Sequence, residues 1–355
     1  EMCIRDSILP QLWYWKIMTG HWLYYSYRDQ SFFWTSPKII EGLFHFSNGW
    51  LAYSPIMAFS IAGMFFVRKQ KNVALMMWVL IPLYIYIIYC WYCYRYINGF
   101  GSRPMLHVYP LLALPLVVFA QWIWNKNKIW KVLFTTLAAF FAVFNADCSI
   151  RQMRGILWSE ESNIQFNAQT LFKRQLSYND LVVNDIAEFQ PDTSKLTFLG
   201  TLAEVRYNDS SSEHTVPDPI SGEKYVYRMY DEDYPGVSIA LPCDVEKLKN
   251  AKWIKCSGRF MCTQYPDYFR HILVAEIGNK SWKGCKIENK NFRFEPSPQS
   301  DHLTLFDCKL HQWGTVYFFT RIPENISKDD IIKLYAWSPN RSELYLDDLK
   351  IELYR

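Results

Sequence analysis

Asn98-Gly99-Phe100-Gly101-Ser102-Arg103-Pro104 separates two long apolar runs, and its reading decides the fold. Before it, Val73 to Cys93 holds no charged residue, and after it Met105 to Trp124 holds none. Such runs have the length of a membrane-crossing helix. The interruption then reads as a loop at a membrane surface that presents Arg103.

Working outward, Trp50 to Val67 is a further uncharged run, and Val132 to Ala146, beginning near Ile129, is a fourth. The expected bundle occupies 49–147, with spans at about 50–67, 73–93, 105–124 and 129–147. Pro55 and Gly63 are tolerable inside a membrane helix. Lys and Arg concentrate in 68–71 and 126–131, which places those loops on the cytoplasmic side. Residues 8–48, 94–104 and everything beyond 147 then lie on the opposite side. Arg95 and Arg103 depart from that charge rule, and a ligand is one reason for them to be there. Residues 8–48 mix aromatic and charged side chains, as an extracytoplasmic interfacial segment would. Glu1 to Ser7 reads as a translated library-preparation scar, so the natural N-terminal part is expected to be missing.

After Cys148 the composition becomes that of a water-soluble domain. Residues 148–192 read as a helical linker, with an apolar face at Ile164, Phe166, Leu171 and Phe172. From 193 to 355 the period changes to two. Strands are expected at 196–199, 225–230, 237–241, 253–260, 271–275, 303–306, 315–319, 332–337 and 344–346. Many short strands punctuated by Pro, Gly, Asn and Asp predict an extracytoplasmic all-β sandwich of jelly-roll type. The fold class is therefore a multi-domain membrane protein, an α-helical bundle followed by a sandwich.

A net charge of +4 is too small to argue for nucleic acid. Cys90 and Cys93 have CxxC spacing but no second pair and no nearby His pair, so no metal site is expected. Gly99 and Gly101 let backbone approach a ligand, and Arg103 supplies a permanent planar cation suited to phosphate. A glycine-bearing turn before Pro104 with no ligand would look the same.

The order Trp15-Lys-Ile-Met-Thr-Gly-His-Trp22, Pro37-Lys-Ile-Ile-Glu-Gly-Leu-Phe44, Asn48-Gly-Trp-Leu-Ala-Tyr-Ser-Pro-Ile-Met57 and Gly99-Phe-Gly-Ser-Arg-Pro104 resembles the GT-C class of membrane glycosyltransferases. More narrowly it is similar to the protein-mannosyltransferase and aminoarabinose-transferase-like branch of Bacteroidetes-type bacteria, over residues 8 to 147. The resemblance implies a polyprenyl-phosphate-linked sugar as donor and a glycan, lipid or protein as acceptor. It places the reaction on the extracytoplasmic, periplasmic side of the inner membrane. It gives Gly99, Gly101 and Arg103 to the donor phosphate, although Pro104 stands where many relatives have an aromatic residue. The family's catalytic carboxylate lies in an upstream loop, and no residue here matches its motif. A divalent cation stays open as a cofactor of the complete enzyme. Lys16, His21 and Glu41 are candidates to line the site, and each also reads as an ordinary interfacial or helix-end group. In the soluble half, Tyr345-Leu-Asp-Asp-Leu-Lys-Ile-Glu-Leu353 resembles the closing strand of jelly-roll carbohydrate-binding modules. Trp282 and Trp313 follow turn-like sequence and are candidates to stack on sugar, whereas Trp253 and Trp337 fall within strands and read as core. The rival reading is a non-enzymatic, membrane-anchored, carbohydrate-binding surface protein.

Overall fold

A computed structural model describes residues 2–25, 30–67, 71–96, 100–207, 214–230, 238–265, 270–278, 288–294, 310–339 and 341–355. The chain forms two compact units, Glu1–Phe141 and Ala142–Arg355.

Among the described residues, three helices are long and apolar enough to cross a membrane: Lys71–Cys90 and Arg103–Trp124 in the first unit, and Lys128–Met153, which runs from the first unit into the second. The run expected as the first span is not one of them. It forms two short helices, Trp50–Tyr53 and Met57–Met64. The break falls at Ser54 (φ −127°, ψ 58°), immediately before Pro55. Proline's ring disfavours helical backbone in the residue before it, and its missing N–H removes a helical bond. The broken pair still packs into the bundle, because Trp50 and Met64 are buried with Met77, Ile81, Met105 and Leu112. At Gly63 an added Cβ would lie 1.9 Å from the carbonyl oxygen of Pro115, so only glycine permits this close approach.

Residues 31–38 lie against the C-terminal end of Lys71–Cys90. The Phe33 N–H donates to the Cys90 carbonyl (2.6 Å), and the Lys38 N–H to the Tyr89 carbonyl (2.9 Å). The Tyr92 N–H donates back to the Ser31 carbonyl (3.1 Å). This pairing brings 31–38 and residues 91–96 to one end of the bundle.

The second unit is a two-sheet antiparallel sandwich. Its strands are β1 (Phe198–Val205), β2 (Thr215–Pro217), β3 (Tyr225–Met229), β4 (Ile239–Pro242), β5 (Trp253–Cys262), β6 (His271–Gly278), β7 (Glu288–Phe294), β8 (Gly314–Arg321), β9 (Ile331–Trp337) and β10 (Leu344–Tyr354). One sheet has the order β2-β3-β10-β5-β8, with β1 also paired to β10; the other has the order β4-β9-β6-β7. The chain passes repeatedly from sheet to sheet, as in a jelly roll. The expected strand at 303–306 lies outside the described residues. Strands β2 and β7 were not foreseen from sequence.

Strand β10 serves two neighbours along one side, β3 through Leu344–Leu346 and β1 through Leu349–Tyr354. A bulge between Asp347 and Lys350 separates the two pairings, with Asp348 at φ 50°. An extra residue in one strand bends it and increases its twist. The inward residues Phe260, Phe318, Leu346 and Ile351 meet Leu273, Phe292, Phe294 and Leu334 in one core. Each fully buried phenylalanine there contributes about 2–3 kcal/mol.

Residues 142–192 belong to this same unit rather than standing apart from it. Helix Tyr178–Ile186 starts on a capping box of Ser177 and Asp180 and places Val182 and Ile186 in the sandwich core. It also closes the exposed edge of β8. The Tyr178 hydroxyl donates to the Tyr317 carbonyl (2.6 Å) and accepts from the Tyr317 N–H (2.8 Å). The Gln190 side chain bonds the Phe319 N–H and carbonyl in the same manner, at 2.8 and 3.0 Å. An unpaired strand edge invites pairing with another chain, and these side chains occupy it.

His271 is fully buried at the start of β6. Its Nδ1 lies 3.2 Å from the Ser338 hydroxyl, and Nε2 has no partner among the described residues. Burial pushes its pKa down to about 4, so the imidazole is neutral in the fold. Unfolded, the group titrates near 6.5, and between those values the unfolded chain binds the proton more tightly. Stability therefore falls as pH drops from 6.5 toward 4, by about 3 kcal/mol in all. Urea unfolding of the sandwich at pH 7 and pH 4.5 measures this. His271→Gln is expected to flatten the dependence; an unchanged slope in that variant would assign it to other groups.

Candidate functional site

Arg103 opens a 3-10 turn, Arg103–Val108, that runs directly into helix Tyr109–Trp124. It is the first residue of a helical stretch rather than part of a loose loop. The two residues before it adopt left-handed backbone, Gly101 at φ 59° and Ser102 at φ 55°. For serine that conformation costs about 1–2 kcal/mol, so surrounding contacts must hold it. Those contacts are specific. The Asn48 side chain accepts from the Gly101 N–H (2.8 Å) and donates to the Arg95 carbonyl (2.5 Å). Asn48 is itself left-handed, at φ 68°, a conformation asparagine tolerates better than most residues. The Tyr89 hydroxyl donates to the Ser102 hydroxyl oxygen (3.0 Å), and the Tyr84 hydroxyl to the Pro104 carbonyl (2.8 Å). An added Cβ at Gly101 would meet the Tyr53 Cβ at 3.0 Å, so the backbone is pressed against that side chain.

The Arg103 side chain is exposed, and among the described residues it has neither a carboxylate nor a hydrogen-bond partner. It stands on an open cleft of about 530 Å³ lined also by Tyr25, Phe32, Ile87, Trp91 and Tyr96. Phe32 meets Trp91 edge-on at 4.8 Å and stacks on Trp34 at 4.9 Å, which fixes one aromatic wall. Burial pushes the Tyr96 phenol well above its usual range, with the Arg103 charge opposing. The wall is therefore neutral and the guanidinium is the cationic group on it. This arrangement suits a ligand with an anionic head and an apolar or ring-bearing body.

The other residues expected around such a site lie elsewhere. The Lys16 ammonium donates to the Gly20 carbonyl (2.7 Å) and sits over the Trp22 ring at 5.8 Å. His21 is exposed and follows directly. Glu41 pairs with Lys38 at 3.7 Å. None of the three lines the Arg103 cleft. Gly99 lies outside the described residues. Among the described residues no group of three or more His, Cys, Asp or Glu is placed to hold a metal. Asn48 and the aromatic wall were missed as site residues. Asparagine before glycine gave a hint of left-handed backbone, whereas the pairing of 32 with 91 leaves no local trace.

In the sandwich, Trp282 lies outside the described residues. Trp313 is half-buried beside Val226, Met261 and Tyr345. Its indole N–H donates to Asp218 (3.1 Å), and the Arg259 guanidinium covers the ring at 4.9 Å. Arg259 in turn faces Asp347 at 3.5 Å. Burial raises the pKa of Asp347, aided by the adjacent Asp348. Asp348 pairs with Arg206 at 3.2 Å. Trp253 is buried in β5, as expected. Cys243 and Cys256 are buried free thiols, and Cys262 is buried as well.

No family model matches the sequence, and no curated protein matches it. Solved structures do. The CBM22-1 xylan-binding domain of Paenibacillus barcinonensis Xyn10C is 10% identical, with 44% of this chain and 97% of that one covered at a TM-score of 0.29. The C-terminal family 22 carbohydrate-binding module of Clostridium thermocellum Xyn10B is 10% identical, with 46% and 97% covered at 0.29. A family 16 carbohydrate-binding module is 11% identical, with 39% and 82% covered at 0.26. Likeness at this level leaves the assignment of function to the residues of this chain.

Proposed function

We propose that the chain is part of a membrane glycosyltransferase that takes a sugar from a polyprenyl-phosphate donor. Arg103 holds the donor phosphate, and the acceptor is a glycan, lipid or protein on the extracytoplasmic face of a bacterial inner membrane. The observation that carries this reading is Arg103 itself: an exposed guanidinium on a strained, hydrogen-bonded backbone, beside an aromatic cleft at one end of the apolar helices. A planar fork of donors suits phosphate oxygens. Held in place, it would stabilise the charge that builds on the phosphate as the sugar leaves. The carboxylate that such a transfer requires has no counterpart by motif among these residues, so the part assigned here is donor binding.

The test is binding of undecaprenyl phosphate to the detergent-solubilised chain. One charge-assisted hydrogen bond contributes about 1.5–3 kcal/mol, so Arg103→Ala is expected to weaken binding about 10- to 100-fold, with Arg103→Lys intermediate. Equal affinity in the parent and Arg103→Ala would remove Arg103 from the site.

The sandwich favours a second reading, a carbohydrate-binding module anchored by the helices. Its two sheets share one core with helix Tyr178–Ile186, and that core includes no residue of the Arg103 cleft. Under this reading the chain retains a soluble glycan whatever residue stands at 103.

A further inference from the structure

The end of the bundle opposite Arg103 has a charge pattern that donor binding does not use. From residue 42 to residue 146 the sequence contains no aspartate or glutamate. Within it, Lys71, Lys126, Lys128 and Lys131 have no carboxylate partner among the described residues. Helix contacts bring these lysines to one end. Phe66 stacks on Trp122 at 4.4 Å, five residues before Lys71, and the Lys126 ammonium sits over Trp122 at 4.6 Å. Lys128 and Lys131 open the helix Lys128–Met153, and Lys71 opens Lys71–Cys90, neither with an acid in its first turn. A cation at a helix start opposes the macrodipole, so these positions are electrostatically unfavourable in the isolated chain. Trp122, Trp124 and Trp130 are exposed around them. Exposed tryptophans beside lysines, at the end of span-length apolar helices, mark the depth of lipid headgroups.

We infer that this end is a docking surface for anionic phospholipid headgroups, which supply the negative charge that the sequence omits. The inference rests on the helices crossing a membrane, not on the identity of any donor. The lysines neutralise headgroup phosphates, and the indoles sit at the ester level.

The full chain in neutral detergent is titrated with dioleoyl phosphatidylglycerol and, separately, with dioleoyl phosphatidylcholine, and bound lipid is counted by native mass spectrometry. A lysine near an anionic lipid surface is worth about fivefold in binding, so phosphatidylglycerol should be retained at least tenfold more tightly. K71Q/K126Q/K128Q/K131Q is expected to abolish that preference, and K71R/K126R/K128R/K131R to keep it. The glutamine variant should still bind undecaprenyl phosphate as the parent does, so this outcome and the Arg103 outcome are read separately. Equal retention of the two lipids by the parent overturns the inference. So does a preference that survives in the glutamine variant, or one lost in the arginine variant.

Discussion

Arg151→Ala lowers the free energy of local opening across residues 163–186 by about 3–5 kcal/mol, the cost of removing one partner from a buried ion pair. Arg151 has no solvent exposure at all. Its Nε donates to Asp147 (2.8 Å), Nη1 to the Thr170 hydroxyl (3.0 Å), and Nη2 to Cys148 Sγ (3.2 Å) and Asn167 Oδ1 (3.4 Å). Its own carbonyl accepts from the Ile156 and Leu157 N–H groups. The residue thus ties the end of helix Lys128–Met153 to helix Ile164–Thr170. Removing it leaves the buried Asp147 carboxylate with Arg174, at 2.6 Å, as its remaining cation. Hydrogen exchange at the amides of 163–186 reads the effect. Asp147→Asn with Arg151→Met should recover part of the loss, since it removes the buried carboxylate that Arg174 alone would otherwise offset. A double variant no better than Arg151→Ala would show that packing, not charge, sets the cost.

The second large effect falls on the candidate site. Asn48→Ala leaves the Gly101 N–H and the Arg95 carbonyl without their side-chain partner, at about 1–3 kcal/mol each. It also places alanine at φ 68°, which costs about 1 kcal/mol more than asparagine does. Together these losses should destabilise the backbone at Gly101–Ser102 and at Arg95 by about 3–7 kcal/mol. Asn48 does not line the cleft, so any loss of undecaprenyl phosphate binding passes through Arg103's backbone. Asn48→Gly separates the contributions, because glycine adopts the left-handed conformation freely but restores neither hydrogen bond. Fast exchange of the Gly101 amide in both variants is the expected signature. A protected Gly101 amide in Asn48→Ala would mean that other contacts hold the loop.

Much of the architecture was legible in the sequence because its signals are local. Uncharged runs at 73–93 and 105–124 anticipate the helices Lys71–Cys90 and Arg103–Trp124 within a few residues. Period-two segments anticipate β3, β5, β6, β8, β9 and β10. Where composition was apolar but local backbone chemistry decided the outcome, the reading failed: Pro55 breaks the first apolar run. Strand β7, Glu-Asn-Lys-Asn-Phe-Arg-Phe, is polar for half its length and carries little alternation. The segment before β1 reads as a linker because its ties are long-range. Tyr178 meets Tyr317, and Asp185 meets Arg293, across more than a hundred residues.

The site divides along the same line. Arg103 and Gly101 were visible as a cation and a glycine between apolar runs. Their support was not, because Asn48 reaches Gly101 across 53 residues. Trp313 looked like an exposed platform from its turn-like context. Its partners Asp218 and Arg259 come from β2's end and from β5, which no local pattern brings together.

The central claim is that the Arg103 cleft holds a lipid phosphate. A polyprenyl phosphate carrying a photoreactive diazirine beside the phosphate, crosslinked to the solubilised chain and mapped by mass spectrometry, tests it most directly. Label on peptides containing Tyr25, Phe32, Trp91 or Arg103, lost in Arg103→Ala, is the predicted result. Label confined to 122–131, or unchanged in Arg103→Ala, would contradict it.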